Sequence, residues 1–207
     1  MHPNPTFRPD DQSAAWELVK ERGFGILTVT GPKGILASHV PFVVEGEARI
    51  AAHLVRSNPI VPALKRGAAD ALLIVSGPDG YISPDWYLVA DQVPTWNYVA
   101  VHIRGSMRLL DDDALLPHLE TLSAHNEDRL EPKKPWTHHK MSEGVMERMM
   151  RQIVPVEMDV DEISSTWKLN QNKSEDARTA ASQAVERSPI AAGASALAKL
   201  MREPPQS

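Results

Sequence analysis

The segment GPDGYISPDWYLVADQVPTWNYVAVHIRG, residues 77–105, contains Trp86, Trp96 and all three tyrosines of the chain. Aromatic residues make up only 5% of the sequence, so this concentration is unusual. Exposed rings are costly in a polar segment interrupted by prolines, which favours the wall of a binding site or an interface. Packing of the same rings into a hydrophobic core is an equally good interpretation, and the sequence leaves both open.

The segments on either side of this stretch have the pattern of strands joined by short turns. Strands are predicted at residues 24–30, 35–44, 48–55, 69–76, 98–110 and 154–167, with turns at 31–34 and 45–47. The early connections are too short for parallel crossovers, and no Gly-rich strand-to-helix fingerprint is present. We therefore predict an α+β, mainly β domain built on a closed or split antiparallel barrel, and not a doubly wound parallel sheet.

Five peripheral helices are predicted between and after the strands. The first is capped by Asp10 or Asp11 and ends near Gly23, and the second starts at Asn58; the others cover residues 111–129, 142–153 and 174–187. The helix at 142–153 is rich in methionine, which favours a packing surface and, as an alternative, a ligand groove. Residues 1–187 are predicted to form a single domain, and residues 188–207 an Ala/Pro-rich tail or an accessory helix.

Composition narrows the classes of function. A net charge of -5, with no basic helix and no helix-turn-helix pattern, argues against direct binding of DNA. The chain has no apolar run long enough to span a bilayer and no signal peptide pattern, and zero cysteines exclude disulfides and thiolate metal sites. We expect a cytoplasmic protein. Its surplus of Trp, Tyr and Met exceeds what one small barrel can bury, which predicts a homodimer.

Two short motifs carry groups that can bind a ligand. HLVRSNP, residues 53–59, offers an imidazole, a guanidinium, a hydroxyl and an amide where a strand leads into a helix, and Arg56 with backbone N–H groups suits a phosphate monoester. The alternative is that Ser57 and Asn58 only cap the helix while Arg56 faces water. KLNQNK, residues 168–173, can bind phosphate or the polar edge of a heterocycle, although its composition alone favours a solvated turn.

His39 and His53 lie on adjacent predicted strands, so a two-histidine metal site is conceivable. No Asp or Glu accompanies them at ligand spacing, and strand histidines are more often hydrogen-bonded structural residues. We therefore predict no metal. A serine hydrolase is disfavoured as well, because no nucleophile-elbow sequence is present.

Four separated motifs, GPDGYISPDWY, VPTWNYVAVHIRG, HLVRSNP and KLNQNK, resemble the PaiB family of FMN-binding negative transcriptional regulators. The resemblance extends from about Pro3 to Val185. It implies a flavin-binding split β-barrel, similar to pyridoxamine phosphate oxidase, with FMN at a two-fold dimer interface. Asn170 stands where the family more often has a serine.

The resemblance also implies a set of cofactor contacts. The strand through Ser38, His39 and Val40 would border the isoalloxazine ring, and the ribityl phosphate would face His53, Arg56, Ser57 and Asn58. The dimer partner, or the same chain, would close the ring pocket with Trp96, Asn97, Lys168, Gln171 and Asn172. No catalytic residue is identified. The function implied is negative regulation of transcription, acting indirectly through a ligand or protein partner; the alternative is a flavin-dependent oxidoreductase of unknown substrate.

Overall fold

The computed structural model describes residues 1–205 of the chain. Seven strands are present in this range: β1 (Phe24–Gly31), β2 (Gly34–Glu45), β3 (Arg49–Val55), β4 (Ala69–Ile82), β5 (Thr95–Leu109), β6 (Ile153–Lys168) and β7 (Ala191–Ala192). The α-helices are α1 (Ser13–Arg22), α2 (Ile60–Leu64), α3 (Leu115–Glu127), α4 (Val145–Met150), α5 (Glu175–Val185) and α6 (Ala194–Arg202). No helix among the described residues is long and apolar enough to cross a membrane.

The strands form one sheet in the order β1-β2-β3-β6-β5-β4-β7. β1 is antiparallel to β2 on one side and to β4 on the other, where Ile26 pairs with Ile74, so six of the strands close into a ring. β3 is antiparallel to both β2 and β6. This arrangement confirms the predicted mainly antiparallel α+β fold.

Glycines allow the ring to turn and to close. Gly34 ends the β1–β2 turn with φ at 124°, a conformation that L side chains rarely adopt. A Cβ on Gly25 would lie 2.7 Å from the carbonyl oxygen of Ile74, so glycine permits the close approach of β1 and β4.

Residue contacts divide the chain into two compact units. The barrel unit consists of Val19–Ile74 and Ile103–Glu162, and it contains β1 to β3 with parts of β4, β5 and β6. The terminal unit consists of Met1–Leu18, Val75–His102 and the chain from Ile163 onward. The predicted domain boundary at residue 187 stays a prediction.

The core of the terminal unit surrounds helices α5 and α6. Tyr87, Trp167 and Leu169 are buried in one cluster with apolar residues of both helices. The segment predicted as a tail or an accessory helix forms β7 and α6, and α6 buries Leu197 and Met201.

Several predicted boundaries were wrong. β4 continues to Ile82 and β5 begins at Thr95, so both strands extend into the aromatic segment. The Gly and Pro residues at 77–80 look like a strand end in the sequence, but a Cβ on Gly77 would lie 2.8 Å from Val99, so glycine is required by close packing inside the strand.

The predicted helix limits were also too wide in places. α2 covers only Ile60–Leu64, and Asn58, predicted as its cap, does accept the Ile60 N–H with its side chain; α4 spans six residues only. α3 begins at Leu115, after a 3-10 turn at Asp112–Ala114. Two capping predictions are confirmed: the Asp11 carboxylate accepts a hydrogen bond from the Ser13 N–H at 2.9 Å, and the Ser174 hydroxyl accepts one from the Ala177 N–H at 3.4 Å.

Candidate functional site

The turn from β3 into α2 contains the HLVRSNP motif and lies in the barrel unit. The Arg56 N–H donates to the carbonyl of Gln152 at 2.7 Å, and the Asn58 Oδ1 accepts from the Ile60 N–H at 2.9 Å. Ser57 is exposed. α2 has only five residues, so its dipole adds little to anion binding, and any phosphate affinity here depends on side chains.

The Arg56 guanidinium is fixed by the backbone and does not simply face water. Its Nε donates to the carbonyl of Arg151 at 3.1 Å, and its Nη2 donates to the carbonyl of Ile153 at 3.0 Å. Nη2 also contacts the Asp112 carboxylate at 3.2 Å, whose side chain is 73% exposed. These bonds use Nε and Nη2, so the Nη1 edge is available for a ligand, and Asp112 is the anion that a phosphate would have to displace.

Ser38 and Asn58 are brought together from two different elements. The Asn58 Nδ2 donates to the Ser38 Oγ at 3.0 Å, which ties β2 to the turn before α2. His39 is exposed and stacks on Phe24 with ring centroids 6.2 Å apart, whereas Val40 is only 3% exposed. Because side chains alternate along a strand, His39 lies on the face opposite to Ser38 and Val40, and one ligand cannot contact all three side chains from one side.

His53 pairs with His118 of α3, and not with His39. The His53 Nδ1 and the His118 Nε2 are 3.1 Å apart, and His118 is 6% exposed. Burial lowers the pKa of His53. Burial, with a smaller effect of the His53 charge, lowers the pKa of His118 to about 4, so both rings are neutral at pH 7. A single proton then lies between the two nitrogens.

The tautomers of the His53–His118 pair follow from the surroundings of the other ring nitrogen of His118, Nδ1. The His118 Nδ1 is buried and has no hydrogen-bond partner among the described residues. An orphaned N–H is rarer in proteins than an orphaned acceptor, so Nδ1 carries no proton and Nε2–H donates to His53. The proton of His53 is therefore on Nε2, where it can donate to a ligand. The sequence reasoning missed His118, although its spacing from Leu115 and Leu122 places it on the buried face of α3.

In the terminal unit, the KLNQNK motif forms a hydrogen-bonded turn after β6. Asn170 is 2% exposed with φ at 66°, and its Oδ1 accepts from the Tyr87 hydroxyl at 3.2 Å. The Gln171 amide closes the turn, because Oε1 accepts from the Leu169 N–H at 2.8 Å and Nε2 donates to the Trp167 carbonyl at 2.5 Å. Asparagine tolerates this left-handed backbone better than serine does, which explains Asn170 without any ligand contact.

The two lysines of this turn are partly covered. Lys168 Nζ donates to the Thr95 hydroxyl, and burial lowers the pKa of Lys168. Lys173 Nζ donates to Gln92 Oε1 at 2.6 Å and lies 5.4 Å from the centre of the Tyr87 ring. Asn172 is exposed. The motif therefore forms the turn that its composition favoured, although Leu169 and Asn170 are buried in it, and Asn172 is its most accessible amide.

Trp96 and Asn97 lie on opposite faces of β5. Trp96 is 45% exposed, its Nε1 donates to Asp79 Oδ1 at 3.1 Å, and its ring centroid is 6.4 Å from that of Tyr81. Asn97 is fully buried, and neither its Oδ1 nor its Nδ2 has a hydrogen-bond partner among the described residues. An unpaired buried amide costs about 1–3 kcal/mol, so Asn97 requires a partner such as water or a ligand. The polar edge of a flavin, with both donors and acceptors, has the chemistry to satisfy an amide.

No group of three or more His, Asp or Glu residues within residues 1–205 could hold a metal ion. Part of the aromatic segment belongs to the core and part lies on the surface. Tyr87 is 1% exposed, whereas Leu88, Val93 and Trp96 are exposed.

The closed antiparallel ring with peripheral helices is the fold of a split β-barrel. Residues 1–162 match the family described as "Putative FMN-binding domain", and the chain belongs to this family. It is 30% identical over 172 residues to the protease synthase and sporulation protein PAI 2 of Bacillus subtilis, which covers 82% of this chain and 81% of that protein. The predicted membership of the PaiB family is thereby confirmed.

One further sequence relative and two solved structures are also similar to this chain. An uncharacterized protein of Saccharomyces cerevisiae, YKL070W, is 38% identical over 106 residues, covering 46% of this chain and 62% of its own. The FAD and heme binding protein of Mycobacterium smegmatis superposes with a TM-score of 0.56 at 15% identity, covering 78% of this chain and 73% of that one. The flavocytochrome Anf3 of Azotobacter vinelandii superposes with a TM-score of 0.57 at 15% identity, and the match covers 81% of this chain and 72% of that one.

Proposed function

We propose that this protein binds FMN and acts as a negative transcriptional regulator, indirectly, through its ligand or a protein partner. The observation that carries the FMN part is the Arg56 guanidinium, which two backbone carbonyls hold in place with its Nη1 edge unused. A fixed guanidinium loses little side-chain entropy when it receives a phosphate, and charge-assisted bonds to phosphate are among the strong hydrogen bonds.

The neighbouring groups of the barrel unit suit the same ligand. The Nε2–H of His53 and the hydroxyl of Ser57 can donate to phosphate oxygens, while the Ser38–Asn58 hydrogen bond holds the turn in position. The phosphate would replace the Asp112 carboxylate on Arg56. We expect Trp96, Asn97, Lys168, Gln171 and Asn172 of the dimer partner to complete the ring site, either directly or, for Gln171, by fixing the turn.

When bound, FMN supplies a redox-active ring that can carry hydride or single electrons. The chain's own residues would orient it and hold its phosphate. A regulator of this kind can respond to the presence or redox state of the flavin without touching DNA. The net charge of -5 supports an indirect route, since DNA binding draws on positive charge.

A homodimer is part of the proposal. Leu88, Val93 and Trp96 are 82%, 72% and 45% exposed in the single chain, which is more apolar surface than one short segment of a monomer normally presents to water. A two-fold partner would cover these side chains.

The experiment is a titration of the cofactor-free protein with FMN, followed by the quenching of flavin fluorescence. We expect one FMN per chain, and an affinity about tenfold or more weaker for Arg56→Ala, because a charged hydrogen bond to phosphate contributes about 1.5–3 kcal/mol. Arg104→Ala is the matched control: it removes one exposed arginine of β5 in the same unit and should leave FMN affinity unchanged. Equal loss of affinity in both variants, or no binding by the wild type, would contradict the proposal.

The regulatory part needs its own readout. Transcript levels in the organism that encodes the protein should rise for the same genes when the chromosomal copy is deleted and when it carries Arg56→Ala. Tight, sequence-specific and salt-sensitive DNA binding by the purified protein would overturn the indirect route. Rapid oxidation of NADH or NADPH by the FMN-loaded protein, with transcript levels unchanged on deletion, would identify an oxidoreductase instead.

A further inference from the structure

The Met-rich part of the barrel unit forms a partly open cavity. It has a volume of about 570 Å³ and lies between α3, the loop at residues 128–141 and the start of β6. None of the residues expected to contact FMN lines it. Cavities of roughly 300–1,000 Å³ are typical of small-molecule sites. Its size therefore suits a compact organic ligand.

The apolar wall of this cavity is adaptable and aromatic. Trp136, Met146, Met149 and Met150 line it, and Trp136 and Met149 are 37% and 55% exposed. Thioether side chains are flexible and polarisable, so they fit flat rings of different shapes. An indole offers a face on which a ring or a cation can stack. The methionine pattern of α4 is thus more than packing between helices.

The polar lining of the cavity contains carboxylates but no side chain with a permanent positive charge. Its lining includes the carboxylates of Glu120 and Asp128 and the imidazoles of His138 and His139, but no lysine or arginine from the described part of the chain. His138 Nδ1 is 3.4 Å from Glu120 Oε1, and the two imidazole centroids are 4.0 Å apart. Anionic ligands such as FMN would be repelled by this lining, whereas a positive charge beside Glu120 and over the Trp136 face would be stabilised.

We propose that this cavity is a binding site for a cationic aromatic compound of two or three fused rings. The ring system lies against Trp136 and the methionines, and the positive charge is near Glu120. The site is separate from the proposed FMN site and does not depend on it.

The test uses proflavine, a fluorescent cation with three fused rings, and the anionic dye 1-anilinonaphthalene-8-sulfonate as the charge-reversed comparison. We expect proflavine to bind with a stoichiometry of one per chain and more tightly than the anion. Ala124→Trp places an indole in the cavity and should weaken proflavine binding about tenfold or more. Thr121→Trp, an exposed position of α3 outside the lining, is the control and should leave binding unchanged.

The charge contribution is measured with Glu120→Gln. This variant should bind proflavine about fivefold more weakly, as expected for the loss of one half-exposed carboxylate, and should bind the anionic dye no more weakly than the wild type does. FMN affinity should be the same in all these variants. The proposal fails if proflavine does not bind, if both tryptophan variants behave alike, or if FMN competes with proflavine. It also fails if Ala124→Trp splits a dimer on size-exclusion chromatography, since the cavity would then be covered by a second copy of the chain.

Discussion

Acid should destabilise this protein through the buried His118, and the variant His118→Gln should remove that sensitivity. The folded state holds the pKa of His118 at about 4, against about 6.5 in an unfolded chain. The unfolded state therefore binds the proton more readily, so this histidine's contribution to stability is complete above pH 6.5 and is lost as the pH falls from 6.5 towards 4.

The magnitude follows from the shift of the pKa. A depression of about 2.5 units corresponds to about 3 kcal/mol when both states are fully titrated. Between pH 7 and pH 4.5 the linkage relation gives a loss of about 2 kcal/mol. Because carboxylates titrate in the same range, only the difference between the wild type and the variant isolates His118.

The assay is urea unfolding at pH 7 and pH 4.5, followed by tryptophan fluorescence and analysed by linear extrapolation. The glutamine side chain of the His118→Gln variant would keep an amide N–H directed at His53 Nδ1 but cannot gain a proton, so the variant should lose about 2 kcal/mol less than the wild type on acidification. His125→Gln, on the same helix with its Nε2 bonded to the Lys20 carbonyl, is the matched control and should follow the wild type. Parallel pH dependence of the wild type and His118→Gln would refute the lowered pKa of His118 and with it the neutral pair.

Three further predictions concern the terminal unit. Asn97→Leu replaces an unpaired buried amide by an apolar side chain, so the cofactor-free protein should become about 1 kcal/mol more stable in urea while FMN affinity falls; lower stability would show that the amide already has a partner. Tyr87→Phe leaves the buried Asn170 Oδ1 without its donor and should reduce the free energy of unfolding by about 1–2 kcal/mol, and an unchanged free energy of unfolding would contradict this prediction. Leu88→Asp combined with Val93→Asp should shift a dimer towards monomer in analytical ultracentrifugation without loss of helix or strand content, and an unchanged sedimentation coefficient would place the interface elsewhere.

Much of the fold could be predicted because it depends on local patterns. The hairpin of β1 and β2 follows from a Gly-bounded turn between β-branched runs, and the alternation of Val154, Val156 and Met158 marks β6 directly. The extension of β4 through Gly77 and Gly80 could not be predicted. Glycine is needed there because a Cβ would collide with Val99 or Ala191, and both of these residues are distant in sequence. A glycine that is needed for a turn and a glycine that is needed for close packing cannot be told apart in a sequence.

The polar groups of the β3–α2 turn could be predicted by residue type, but their partners could not. Arg56 and Asn58 were singled out correctly as polar groups of one turn, yet the carbonyls of Arg151 and Ile153 that hold the guanidinium have no side-chain signature. His53 was assigned to phosphate, while its closest polar contact is His118, 65 residues away. Burial, which decides the protonation of both rings, is a property of the assembled core and not of the motif.

The closure of the strand ring constrains how this protein can associate or aggregate. β1 forms backbone hydrogen bonds on both sides, and the strand at the open end of the described sheet, β7, has only two residues. Where β1 pairs with β2 and β4 at once, at residues 26–29, a neighbouring chain therefore finds no free row of N–H and C=O groups to extend. Opening of the contact between Ile26 and Ile74 would create such an edge, so a substitution that weakens this contact should favour edge-to-edge association.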